Sequence, residues 1–423
     1  VFTPTDPCAH HLGDHLVLTS VSTIEDVERV AEFNGLIHDA HVTDMTRALI
    51  LHHPRTRPEH WLFVEDERTG QIVSSLCLIP WTWRYGEVEL RAGEQGIVGT
   101  LPEYRHRGLI RALNRRFKEL LRDAKFDLSH IQGIPYFYRQ FGYEYAIPLE
   151  GGWNIHAHQI PDGLPLRESF QFRRATLDDL PALVRLYDDA ACDLEISAVR
   201  DAAAWRYLIE HEPLTASASE TWLVLGAGDE IVGYWRVEKF GFGEGLIVSD
   251  ASRLSHPAAL AVLRKVKALA AERGKPYIRL ASADTCPLIR AAKAWGAQHA
   301  GRYAWQIHIP DPARLLRTIA PVLERRIAAS PLAGLTQTVY LNLYHESFDL
   351  RFEEGRLTSV EAVGFSDTGE IRLPPLLLAP LVLGWRSREE LHQSHPDVSI
   401  WGQSAYLIDI LFPKMESFIY TTY

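Results

Sequence analysis

The chain lacks any apolar run approaching the roughly 18 residues that a membrane span needs, so no membrane partner is expected. Cysteine is sparse, and Cys8, Cys77, Cys192 and Cys286 are scattered without metal-ligand spacing, mostly among apolar neighbours. That pattern predicts free buried thiols in a reducing cytoplasm and no metal site. Basic residues are not in excess: 44 Lys and Arg face 54 Asp and Glu, a net charge of −10. This argues against nucleic acid as a partner and suits a cationic amine. The opening Val1-Phe-Thr-Pro-Thr-Asp has neither a basic start nor an apolar core, so no secretory leader is expected, and the missing Met fits a trimmed start. No Ser/His/Asp arrangement stands out either, which removes the usual pattern for covalent nucleophilic catalysis. What remains is the composition of a folded chain, 46% hydrophobic and 23% charged. Its 423 residues are enough for two or three domains.

The most specific stretch is Thr100-Leu-Pro-Glu-Tyr-Arg-His-Arg-Gly-Leu-Ile-Arg111. It follows a strand-like Gly96-Ile-Val-Gly. It opens a helical pattern with Leu109, Leu113, Phe117, Leu120, Leu121 and Ala124 at helical spacing. A strand, a basic turn with one glycine and a helix N-terminus together make a site for phosphate, because free N–H groups and the positive end of the helix dipole face the anion. Arg105 and Arg107 add charge, and Gly108 allows close approach of the backbone. A solvated basic helix face, continued by Arg111, Arg115, Arg116 and Lys118, is the competing reading of the same residues.

The turn resembles the acetyl-CoA loop of the GNAT N-acetyltransferase superfamily, through Arg105, Gly108 and Ile110. Gly133-Ile-Pro-Tyr-Phe-Tyr-Arg-Gln-Phe-Gly-Tyr143 is similar to that superfamily's second signature, in which a strand leads to a short helix and a Phe-Gly-Tyr turn. Beyond residue 161 the order seen in the first segment recurs. Phe170-Gln-Phe-Arg repeats the strand at His15-Leu-Val-Leu-Thr. Trp222-Leu-Val-Leu and Glu230-Ile-Val-Gly-Tyr-Trp repeat the hairpin of Trp61-Leu-Phe-Val-Glu and Gln71–Leu78. In this copy the turn Ala251-Ser-Arg-Leu-Ser-His-Pro257 has no glycine and one Arg, so the fold is expected without the cofactor. A third pattern follows Asp311, with a helix over 315–327 that sets Leu315, Leu316, Ile319, Val322, Leu323 and Ile327 on one side, then strands at 338–344 and 349–353 and a buried helix within 374–384. It resembles a sterol-carrier-protein-like domain. The whole chain thus resembles the enhanced-intracellular-survival (Eis) type of acetyltransferase. The implied fold class is α/β (α+β). A catalytic GNAT domain would occupy 1–160, a degenerate second one 166–309, and a sterol-carrier-like domain 310–423.

The resemblance implies acetyl-CoA as cosubstrate, no metal, a cytoplasmic homo-oligomer (a hexamer by family pattern), and direct acetyl transfer to a primary amine such as an aminoglycoside, a polyamine or a lysine side chain. It places cofactor contacts at Val98, Thr100, Arg105, His106, Arg107, Gly108, Leu109, Ile110, Gly133 and Pro135. Tyr138, five residues before Tyr143, takes the place of the general acid. A phenol stays protonated at neutral pH and can serve a thiolate leaving group. The family's base is the C-terminal carboxylate, here that of Tyr423, although Thr421-Thr422 departs from the acidic residue common there. Glu94 and the His38–His41 cluster are alternatives acting through water. Substrate selection is expected from Asp39, His41 and Asp44 beside Trp81 and Trp83, since carboxylates next to aromatic rings suit a cation. A CoA- or lipid-binding protein without catalysis, using the 374–384 helix, is the alternative from another class.

Overall fold

The computed structural model describes residues 9–149, 152–162, 169–301, 303–366 and 369–423. Cys8 and most of the compositional linker at 161–165 lie outside them. The first part runs β1 (His10–Gly13), β2 (Leu16–Ser20), α1 (Ile24–Ile37), α2 (Ala40–His52), β3 (Trp61–Asp66), β4 (Gln71–Tyr85), β5 (Val88–Thr100), α3 (Leu109–Asp123), β6 (Leu128–Ile131) and β7 (Glu144–Leu149). Thr23 starts α1 with a capping box closed by Asp26, and Asp39 caps α2 by accepting from the His41 N–H. The 3.6-residue pattern of α3 buries Leu109, Leu113, Phe117 and Leu121 against the sheet and leaves Arg111 and Arg115 exposed. Burial on this scale fixes the helix firmly; truncating a core phenylalanine such as Phe117 to alanine costs about 3–5 kcal/mol.

After β8 (Gly152–Ile155), the last strand of the first part, the second part runs β9 (Gln171–Arg174), α4 (Leu180–Ala191), β10 (Ile196–Ala198), α5 (Ala202–Glu210), β11 (Ser219–Leu225), β12 (Ile231–Glu238), β13 (Leu246–Ala251), α6 (His256–Glu272), β14 (Ile278–Leu280), α7 (Pro287–Ala294), β15 (Gln298–Ala300) and β16 (Tyr303–His308). The element order from β9 to β15 repeats that of the first part. Each part forms its own sheet, nine-stranded in the order β1-β2-β3-β4-β5-β6-β16-β7 with β10 on β4, and seven-stranded in the order β15-β8-β14-β13-β12-β11-β9.

The two sheets exchange a strand. β16, from the second part, lies between β6 and β7 of the first sheet, with Gln306 opposite Ile131 and Tyr303 opposite Leu149. Reciprocally, β8 lies between β14 and β15 of the second sheet, with Ile155 opposite Ile278 and Trp153 opposite His299. Gln306 and Ile307 are buried in that position.

The third part carries α8 (Pro312–Thr318), α9 (Ala320–Ala328), β17 (Gln337–Asn342), β18 (Ser347–Glu353), β19 (Arg356–Gly364), β20 (Ile371–Arg372), α10 (Leu378–Val382), α11 (Arg388–Ser394), β21 (Ser399–Ile400) and α12 (Gly402–Leu411). Its five-stranded sheet has the order β19-β18-β17-β20-β21. The helix expected across 315–327 is broken at Ile319, because Pro321 removes an N–H from the ladder and restarts a helix at its first turn. Within 374–384 the regular helix is short, and Leu378, Leu381 and Val382 are buried in the core shared with the first part. Cys77 and Cys286 are buried free thiols, whereas Cys192 is exposed at the end of α4, against the expectation drawn from its apolar neighbours. Among the described residues no helix is long and apolar enough to cross a membrane.

Candidate acyl-transfer site

The basic turn is open and its helix is uncapped. Gly108 occupies the N-cap of α3 at φ 78°, with no side chain bonded to the first helical N–H groups. A Cβ built there would meet nothing within 4 Å. Arg105, His106 and Arg107 are exposed around it, with Arg107 lying over the Tyr104 ring at 5.2 Å and reaching Asp14 at 3.3 Å. Leu109 is buried in the main core, and Ile110 packs against the Tyr138 cluster. Orphan N–H groups, a positive dipole end and exposed guanidinium groups at one open turn suit a pyrophosphate.

Beside this turn the sheet splays. β5 pairs with parallel β6 only through Ala92–Leu128, Gly93–Ser129 and Glu94–His130. Beyond Glu94 the register with β4 shifts between Ser75 and Cys77, and Ile97 takes a positive φ of 46°, a bulge that bends the strand away from β6. Val98 and Thr100 sit on the diverging stretch, partly exposed. A strand edge freed in this way can pair with an amide-bearing chain.

Tyr138 faces this opening from the short helix Phe137–Phe141. Its ring packs with Ile131, Phe141 and Tyr143, and Val98 and Ile110 pack against the same cluster. Burial pushes its phenol up to about 12, so it is fully protonated at neutral pH. Gly133 must be glycine here, since a Cβ would come within 2.3 Å of the Tyr138 ring. The Gly133 carbonyl accepts from Gln306 Nε2 at 3.1 Å and from the Tyr303 hydroxyl, both on the exchanged β16. Pro135 is exposed two residues on. Tyr143 is tied to Ser129 at 2.8 Å inside the core.

Tyr423 lies in a neighbouring group. Its ring meets Trp81 edge-on at 5.8 Å and His53 at 6.3 Å, and its side chain faces the Glu94 carboxyl. Burial pushes Glu94 up to about 8, against the opposing pull of the Tyr423 and Trp81 side chains. Glu94 Oε2 lies 3.8 Å from His130 Nε2. Burial holds His130 down to about 3, so at neutral pH the two are an uncharged pair rather than an ion pair. Trp81, Trp83 and Trp305 surround the His130 ring at 5.1, 4.6 and 4.9 Å. Both His130 nitrogens and the Nε1 atoms of Trp83 and Trp305 are buried without a hydrogen-bond partner. Such unpaired polar atoms gathered in one place mark a spot able to receive polar groups.

The structure therefore brings Val98, Ile110, Gly133 and Tyr138 together, and separately Trp81, Trp83, Glu94 and Tyr423. Asp39 and His41 are exposed at the start of α2, where His41 stacks on Phe240 of the second part at 4.5 Å. Trp81 and Trp83 are both buried rather than lining an exposed wall. His130, Trp305 and the bulge at Ile97 escaped sequence reasoning. His130 could have been found by pairing Leu128–Ile131 in parallel with the start of β5, which sets it opposite Glu94. Among the described residues no group of three His, Cys, Asp or Glu side chains could hold a metal ion.

The first unit thus sets an uncapped helix after a bulged strand, with a buried phenol at the splay. Residues 25–146 match the model of an acetyltransferase (GNAT) domain, and the protein is an acyltransferase. A search of curated proteins by sequence finds no match. Solved structures share the fold over nearly the whole chain. A GCN5-related N-acetyltransferase from Anabaena variabilis is 17% identical with a TM-score of 0.67, covering 96% of this chain and 99% of that one. Its counterpart from Kribbella flavida is 18% identical with a TM-score of 0.67, covering 96% and 98%. Eis1 from Mycobacterium abscessus is 16% identical with a TM-score of 0.62, covering 96% and 100%.

Proposed function

We propose that the protein is an acetyl-CoA-dependent N-acetyltransferase of the Eis type. Residues 1–160 would be its catalytic unit, 166–309 a degenerate second unit and 310–423 a sterol-carrier-like domain, in a cytoplasmic homo-oligomer. The observation that carries this reading is the uncapped, glycine-opened turn at 105–110 beside the splay of β5 and β6. The N–H groups at the start of α3 and Arg105 and Arg107 hold the pyrophosphate. The main chain of Val98 to Thr100 pairs with the pantetheine amides. Tyr138 keeps its proton until the thiolate departs and then supplies it. The acceptor is a primary amine, with aminoglycosides, polyamines and lysine side chains as candidate classes, and it attacks the thioester directly.

The amine's proton goes to the Tyr423 carboxylate. Tail docking supports a place near the site: the Tyr423 ring packs against Trp81 and its phenol faces Glu94, while the Thr421 hydroxyl donates to the Tyr423 main-chain oxygen at 2.5 Å. Glu94 is the competing acceptor, but its raised pKa keeps it protonated near neutrality. A thiol-release assay with acetyl-CoA against polyamines, aminoglycosides, arylalkylamines and lysine peptides tests the reading. Release with any amine supports it. CoA binding without release against the whole panel favours a binding protein, for which stoichiometric lipid in an extract is the next check. Deleting residues 418–423 abolishes most turnover if the tail carries the base, and full activity without them moves the role to Glu94.

A further inference from the structure

We propose that the second unit serves as the holder of the catalytic tail, with Arg200 as a positioning residue that clamps the Thr421 carbonyl and thereby sets the place of Tyr423. The proposal rests on reading Tyr423 as part of the first unit's site.

Arg200 follows β10 and its side chain is fully buried. A buried guanidinium is costly unless it is paired and hydrogen-bonded. Nη1 bonds to Asp250 on β13, and Tyr234 donates its hydroxyl to that carboxylate at 3.2 Å. The guanidinium lies over the rings of Tyr187 at 4.7 Å, Trp205 at 5.0 Å and Tyr420 at 5.7 Å. Nε is aimed out of the unit and donates to the Thr421 carbonyl at 2.7 Å. One planar group thus spans the core of the second unit and the backbone of the tail. A hydrophobic side chain would fill the same space at equal or better stability. Only a donor fixes the register of an extended segment.

The rest of the tail is held from the same side. Tyr420 shares a hydrogen with Ser282 Oγ at 2.7 Å, and the Ala283 N–H donates to the Tyr420 oxygen at 3.3 Å. Phe418 N–H donates to the Ile196 carbonyl at 3.1 Å, Glu195 N–H to the Glu416 carbonyl at 2.8 Å, and Ser417 forms a parallel bridge with Ile196. β10 in turn pairs antiparallel with β4, setting Ala198 opposite Trp83. The tail is therefore the outer member of a ladder that begins at the tryptophans of the first unit. The second unit's own turn at 251–257 lacks a glycine and carries one arginine. The polar group its core presents is directed at the chain terminus instead.

The test is the rate at which a carboxypeptidase releases Tyr423 from the intact protein, followed by mass spectrometry. Arg200→Lys keeps a charge for Asp250 but cannot reach both Asp250 and Thr421. Loss of one charge-assisted hydrogen bond should raise release about tenfold. Tyr420→Phe keeps the ring, drops the Ser282 bond and leaves the buried ion pair intact. It should raise release by a smaller factor, and it reports even if the lysine variant does not fold. Equal release from both variants and the parent overturns the proposal. In turnover, Arg200→Lys should lower kcat while leaving CoA affinity unchanged, and should have no further effect once residues 418–423 are deleted. Additive losses would show that Arg200 acts elsewhere and would also overturn it. Should deletion of the tail leave turnover intact, the tail-as-base reading fails, while the release assay still decides the clamp.

Discussion

At the scale of single residues, burial raises two acids of the site above their usual ranges, each with a different consequence. Tyr138 is raised by burial, which suits a group that must hold its proton until a thiolate develops. Tyr138→Phe retains the ring packing with Phe141 and Tyr143 and removes the proton. Turnover should fall by roughly a hundredfold, as for loss of a general acid, with CoA affinity unchanged; steady-state kinetics beside a CoA titration check both. Glu94 is raised by the same cause, and its buried carboxyl is neutral in the folded state near neutrality. The folded state binds this proton more tightly than the unfolded chain does. The contribution to stability is therefore complete below the ordinary glutamate value of about 4.5 and is lost as pH rises through about 8. Glu94→Gln, which cannot ionise, should melt higher than the parent at pH 9 and close to it at pH 5. Thermal melts at the two pH values would read the difference, and an equal difference at both would mean that Glu94 does not titrate in this window. The same variant separates the two candidate bases, because an ascending limb of kcat near pH 8 that persists in Glu94→Gln belongs to another group.

At the scale of elements, the turn before α3 combines a backbone requirement with an electrostatic one. Gly108 has positive φ, so any replacement carries a conformational cost of about 1–2 kcal/mol, least for Asn and Asp. Gly108→Asn and Gly108→Asp share shape and backbone cost and differ in charge. CoA affinity should weaken modestly in the first and at least about tenfold further in the second, with nearly equal melting temperatures. Equal affinity in the two variants would remove the anion cradle. This element was readable from sequence because its information is local: a helical period, one glycine, two arginines and a preceding strand. The Phe-Gly-Tyr turn was readable for the same reason. The bulge at Ile97 was not, since no residue type marks it and it depends on how β4 and β6 compete for β5. Nor was the Glu94–His130 pair, whose members join only through a parallel register formed across α3. The break in the 315–327 helix was readable in principle, because Pro321 stands inside the period.

At the scale of the whole molecule, the exchange of β8 and β16 decides how far the units can be treated apart. Sequence order shows two similar units joined by a linker-like stretch, and periodicity cannot show which sheet a given strand joins. Across the exchange the second part gives the first unit Tyr303 and Gln306, which hold Gly133 beside Tyr138, and Trp305, which packs on His130. The first unit without β16 would leave β6 and β7 unpaired on facing edges and would expose the surface now covered by Ile307. Unpaired edges of that kind template aggregation. Residues 1–165 expressed alone should therefore be insoluble or lack a cooperative melting transition. Produced together with residues 166–423, they should co-purify as one complex, because every strand then finds its partner although the chain is cut. The complex should bind CoA with affinity close to that of the intact chain, since Gly133 and Tyr138 regain their supports. Co-expression, co-purification and calorimetry check each step. A soluble, cooperatively folding 1–165 fragment that binds CoA by itself would mean that the first unit does not depend on the exchanged strand. The tail follows the same logic, since its anchors at Ser282 and Arg200 lie in the second part and its end lies against Trp81. The proposed site thus draws residues from three stretches of chain, and none of those stretches completes it alone.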